Sequence, residues 1–132
     1  MTLYKNERYH EFVELVFHQI VNKLFRYKNY KLHIINRRKP ANPDSLTLGY
    51  INFKKKIIAL DIFTPKTHKP KSINSLLRTL AHEIAHIQKP PYYQRYKGRN
   101  IVRQHFPAFY NQVDKNIVKI KKDPYFKQYF RQ

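Results

Sequence analysis

The stretch from Ser72 to the Pro90-Pro91 pair, SINSLLRTLAHEIAHIQKPP, leaves the chain little conformational choice. Two consecutive prolines cannot continue a helix, and Ser72 or Asn74 can cap one, so the span predicts a single bounded helix. Its apolar residues Ile73, Leu76, Leu77, Leu80, Ile84 and Ile87 recur at three- and four-residue steps. They form a stripe that any fold of this chain has to bury. The helix also carries His82, Glu83 and His86, which are expected on a face distinct from that stripe.

On a helix, residues four apart differ by about 40° around the axis, so His82 and His86 project together, one turn apart, and can grip one ion. Glu83 is their angular neighbour. The order His-Glu-x-x-His suits a zinc site in which two imidazoles ligate the metal and the carboxylate takes a proton from a water that the metal activates. A catalytic zinc takes a third protein ligand and keeps one position open. No Glu follows Glu83, and Lys89 and Tyr92 stand where a metzincin extension needs Gly and His, so both of those zinc-peptidase patterns are disfavoured. One His lies downstream, His105 in RQHFPAFYNQV, at the entry to a further predicted helix. Phe109, four residues on, would anchor it in the core, and Asp114 is the rival third ligand. His10, His18, His33 and His68 have no spacing partner and remain unassigned.

The 132 residues are 42% hydrophobic, which suits a single domain over residues 1–132. With 27 Lys and Arg against 8 Asp and Glu, the net charge is +19, which points to a polyanionic partner such as DNA or RNA, while membrane phosphates or acidic protein substrates would satisfy the same charge. The basic residues are spread from Lys5 to Arg131, so a generally solvated surface competes with a specific patch. The chain has no cysteine, so a metal has to be held by His or carboxylate. There is no signal-peptide pattern or apolar run of spanning length, and a cytoplasmic protein without membrane association is expected.

Along the chain, Tyr9, Phe12, Val13, Val16, Ile20, Leu24 and Phe25 predict an amphipathic helix over about 6–27. YKLHIIN (30–36), LTLGYINF (46–53) and KIIALDIF (56–63) read as three strands, and the simplest arrangement is an antiparallel meander. Pro107 marks the first turn of a third helix running to about Lys121, with Phe109, Val113, Ile117 and Ile120 on its buried stripe. YFKQYF at the end suits a short final helix. The fold class is therefore α+β.

His82-Glu83-x-x-His86 followed by His105-x-x-x-Phe109 resembles the SprT-like zinc metallopeptidases and the related YgjP-type and WLM domains. The order of elements is similar to a minimal zincin: leading helix, small antiparallel sheet, metal helix, then a helix bringing the third ligand. The resemblance spans about residues 5 to 122, with the motif match confined to 72 to 113. It implies Zn2+ held by His82, His86 and His105, with Glu83 as general base in peptide-bond hydrolysis, on substrates that include nucleic-acid-associated proteins. An extended peptide substrate is expected to add to an edge strand, for which KIIALDIF is the candidate. Tyr92, Tyr93, Arg95 and Tyr96 are unassigned candidates to face the reaction, and Lys97, Arg99 and Arg103 to attract DNA beside it. Two other classes stay open: a basic nucleic-acid-binding protein with a structural metal, and a metal-dependent hydrolase of another bond such as a phosphodiester.

Overall fold

The computed structural model describes residues 3–35 and 49–130. The chain forms two compact units, Met1–Leu80 and Ala81–Gln132, with the boundary inside one helix.

The first unit opens with helix α1 (Leu3–Phe17), which continues as a wider π-helical segment over His18–Leu24. The sequence predicts one uniform helix here. In place of the four-residue repeat, the amide of Phe25 donates to the carbonyl of Ile20 at 3.0 Å. Asn22, within the widened segment, donates from its amide nitrogen to the carbonyls of Tyr27 and Tyr30, at 2.8 and 3.0 Å. Those bonds anchor the reversal that leads into the sheet. The buried side chains, Val13, Val16, Phe17, Ile20 and Val21, follow the predicted periodicity, with Phe17 and Val21 added to the expected stripe.

Strands β1 (Lys31–Ile34), β2 (Gly49–Asn52) and β3 (Ile57–Leu60) form a sheet of order β1-β3-β2. The β2–β3 hairpin is antiparallel as expected, with Asn52 opposite Ile57 and the Asn52 side chain accepting from the Lys55 amide at 2.9 Å. The expected meander is otherwise corrected: β1 runs parallel to β3, so the three-stranded sheet is mixed. The reason is burial. Ile58, Ala59 and Leu60 are fully buried at consecutive positions, so β3 needs cover on both faces and a neighbour on both sides. A meander would put β2 in the centre, yet Tyr50 is 46% exposed. The same finding removes KIIALDIF as an edge strand, since β3 is flanked on both sides. The predicted loop around Pro40 and Pro43 and the start of the predicted second strand lie outside the described residues.

Beyond β3 the chain is pinned by polar contacts. The Asp61 carboxylate, 1% exposed, accepts from the Phe63 amide at 3.1 Å, and the Lys71 ammonium donates to the Asp61 carbonyl at 2.7 Å. The Tyr9 hydroxyl reaches from α1 to the carbonyls of Ile62 and Lys71, at 2.9 and 3.0 Å, and burial with the nearby Asp61 charge pushes it up to about 12.

Helix α2 (Ile73–Gln88) begins where Ser72 caps it, its hydroxyl accepting from the Ser75 amide at 3.2 Å. It stops before the proline pair, and Leu76, Leu77, Leu80 and Ile84 of the predicted stripe are buried.

In the second unit, the predicted loop after Pro91 is instead an antiparallel hairpin, β4 (Tyr92–Tyr96) with β5 (Arg99–Arg103). Its two-residue turn, Lys97-Gly98, has φ of 50° and 75°. Positive φ at both central residues is the type I′ geometry that matches strand twist, and Gly98 enters it without a Cβ penalty. Helix α3 (Pro107–Lys122) starts with Pro107 in its first turn, where the missing N–H costs nothing. Asp123 then accepts from the amides of Tyr125 and Phe126 at 2.9 and 3.3 Å, starting a final 3-10 turn over Phe126–Phe130.

Candidate metal centre

His82 and His86 lie one turn apart on α2, and His105 stands two residues before Pro107, the first residue of α3. The three rings converge. Their centroids are 5.0 Å apart for His82–His86, 5.1 Å for His82–His105 and 5.0 Å for His86–His105, a nearly equilateral triangle. One ring nitrogen from each lies within 4.8 Å of the others. The three histidines are therefore close enough to hold a metal ion. Three imidazoles are a donor set that would hold a divalent metal ion such as zinc.

Phe109, fully buried, is the floor of the triangle. Its centroid lies 4.9, 4.4 and 5.1 Å from those of His82, His86 and His105. The anchor expected for His105 thus packs against all three rings, and restricts their rotation toward one another. Burial, followed by the charge of neighbouring imidazoles, lowers His82 and brings His86 down to about 4. Neutral rings are the form that ligates metal.

Glu83 is 4% exposed, and its Oε2 has no hydrogen-bond partner among the described residues. Burial holds its carboxyl up at about 7. A buried carboxylate oxygen without a partner is costly in a purely structural role, and it is the kind of group a site keeps for proton exchange. Beside the three imidazoles it fits a metal centre by its own chemistry.

The expectation that the polar trio occupies a face separate from the core is corrected. Ala81, Glu83, Ile84, Ala85 and His86 are all buried, so the second half of α2 is enclosed on more than its apolar side. The reason is α3, whose Phe109 covers the histidine face.

One brace was not legible beforehand. Asn116 of α3, 2% exposed, donates to the Ala81 carbonyl at 3.0 Å and to the Gln88 side chain at 2.7 Å. Gln112 donates to the Asn116 side-chain oxygen at 3.0 Å. Ala81 and Gln88 bracket the His-Glu-x-x-His segment, so Asn116 fixes α3 against both ends of it. Its signal is a polar residue seven positions after Phe109, within an otherwise apolar stripe.

Asp114, the rival ligand, is exposed on α3 and does not belong to the histidine cluster. Among the other histidines, His68 stacks on Phe63 at 4.6 Å, His10 lies 6.3 Å from the same ring, and His18 bonds Asn22 at 3.0 Å. His33 is exposed on β1. No helix among the described residues is long and apolar enough to cross a membrane. Compared with known proteins, the chain matches no family model, no curated protein and no solved structure.

Proposed function

We propose that this chain is a zinc-dependent metallopeptidase of the SprT-like, minimal zincin type. The observation that carries the reading is the convergence of His82 and His86 of α2 with His105 from the connection before α3, with Glu83 buried on the same turn of α2. A three-imidazole set is the donor pattern of catalytic zinc, because it leaves a coordination position for chemistry.

When bound, zinc supplies Lewis acidity that acidifies a water and polarises a peptide carbonyl. His82 and His86 would hold the ion from adjacent turns, and His105 would complete the set from just before α3. Glu83 Oε2 accepts the proton from water as the new C–O bond forms. It then delivers that proton to the amide nitrogen as the C–N bond breaks, leaving a carboxylic acid and an amine, which become carboxylate and ammonium when the acid's remaining proton passes to the amine. A carboxyl raised by burial to about 7 is poised for both transfers near neutral pH. Asn116 and Phe109 keep the ligands in register.

The charge of +19 supports substrates associated with nucleic acid, since a polyanion would concentrate the enzyme beside them. The decisive experiment measures metal content and peptide hydrolysis in purified wild type, His105→Ala, Asp114→Ala and Glu83→Gln. The expected result is about one zinc per chain in all except His105→Ala, and hydrolysis lost in both His105→Ala and Glu83→Gln. Full zinc content in His105→Ala would remove the site. Zinc-loaded wild type that cleaves nucleic acid and spares proteins would transfer the chemistry to a phosphodiester.

A further inference from the structure

The hairpin β4–β5 lies between the second and third metal-site histidines, β4 starting at Tyr92, six residues after His86, and β5 ending at Arg103, two before His105. Its Tyr92 ring packs on Phe106 at 5.0 Å, which ties the hairpin base to the start of α3. All five residues of β4 are exposed, with Tyr93 80% exposed. A two-stranded ribbon exposed in this way is marginal by itself in water and gains stability from a third strand.

The register identifies the free groups. With a two-residue turn closing on Tyr96 opposite Arg99, the pairs alternate, so Tyr93 and Arg95 direct their N–H and C=O away from β5. Neither residue makes a backbone hydrogen bond elsewhere among the described residues. Asn100 and Val102 do the same on the β5 side, but neither carries a charge.

The charge of the ribbon selects what can occupy that edge. Residues 84 to 113 contain no Asp or Glu, while Arg95, Lys97, Arg99 and Arg103 cluster on the hairpin. A second copy of the hairpin would set like charges against each other, the usual protection of an exposed edge. Nucleic acid could meet the cations but has no repeating N–H and C=O row to match the outward backbone groups of Tyr93 and Arg95, whereas an extended polypeptide pairs with both. We propose that the outer edge of β4 is a docking strand for an extended acidic polypeptide, which pairs with the backbone of Tyr93 and Arg95 and sets its carboxylates beside Arg95. This deepens the peptidase reading by naming a substrate class, and it rests on that reading only for the cleavage that follows docking.

The test uses the zinc-loaded full chain with Glu83→Gln to prevent turnover. Fluorescence anisotropy measures binding of three labelled probes: an end-capped alternating Val-Glu octapeptide, its Val-Lys counterpart and a 20-nucleotide oligothymidylate. The acidic peptide is expected to bind at least tenfold more tightly than the basic one. Tyr93→Pro, which removes an outward N–H and spares the ladder, should weaken it at least fivefold, and Asn100→Pro should leave it unchanged. Arg95→Glu, which alters no backbone group, should reverse the preference between the peptides. Equal binding of the two peptides, a loss with Asn100→Pro in place of Tyr93→Pro, or an oligothymidylate that displaces the acidic peptide equally from the Glu83→Gln chain with and without Tyr93→Pro would each overturn the proposal. Edge-dependent peptide binding without hydrolysis by the Glu83-containing chain would sink the peptidase reading and leave the docking strand standing. Zinc-dependent hydrolysis with no edge dependence would do the reverse.

Discussion

At the scale of single residues, Glu83 and Phe109 carry opposite burdens. Glu83 is a buried polar group that folding alone would prefer to lose, so Glu83→Gln should unfold at the same or a higher temperature and, on the proposed zinc reading, bind zinc as wild type does. On the proposed peptidase reading, hydrolysis should fall by about 10²- to 10⁴-fold, the usual contribution of a general acid–base group, measured beside metal content on the same preparation. Phe109 is the reverse: it takes no part in bond making, yet all three imidazoles rest on it. Phe109→Ala should cost about 3–5 kcal/mol in denaturant unfolding. Phe109→Leu should retain the fold while weakening zinc affinity in a chelator competition, because the rings lose a flat surface to pack against.

At the scale of elements, the braces matter more than the strands and helices they join. Asn116→Ala removes bonds to both ends of the motif segment and is expected to cost about 1–3 kcal/mol, with a several-fold rise in zinc dissociation constant. An Asp114→Ala variant of the same helix, altered at an exposed position, should match wild type in both measurements. The link from α1 to the segment after β3 has its own signature. Tyr9 has its pKa raised to about 12, above the ordinary value of 10.0, so the folded state holds its proton where the unfolded state releases it. That stabilisation is complete below about pH 10 and is lost as pH rises from 10 toward 12. Tyr9→Phe should lower stability at neutral pH by about 0.5–1.5 kcal/mol and flatten that alkaline decline, read by unfolding at a series of pH values.

At the scale of the whole molecule, the charge of +19 has a measurable consequence whatever the chemistry of the site. Binding to a polyanion such as an oligonucleotide should weaken steeply with salt, by about 10³-fold or more between 50 and 200 mM if six or more phosphates are contacted. A shallow slope would mean that the basic residues are simply a solvated surface.

The positions of α2 and α3 were legible in the chain because local rules set them: a serine cap, a proline stop, a proline start and apolar steps of three and four. The histidine spacing on α2 was legible for the same reason, since four residues make about one turn. Other features depend on what lies across space. Whether β3 sits at the edge or the centre depends on what covers each of its faces, and a consecutive apolar run fits either position until those layers are in place. The Lys97-Gly98 hairpin is not legible in the chain because both faces of its strands meet water, so its Tyr, Arg and Gln residues show no polar–apolar alternation. His105 could be named as a candidate, but its arrival beside His82 and His86, with Phe109 packed on all three rings, follows from long-range packing of α3 through Phe109 and Asn116. Local geometry travels with the sequence, whereas a site drawn from two distant segments exists only once the side chains between them have been packed.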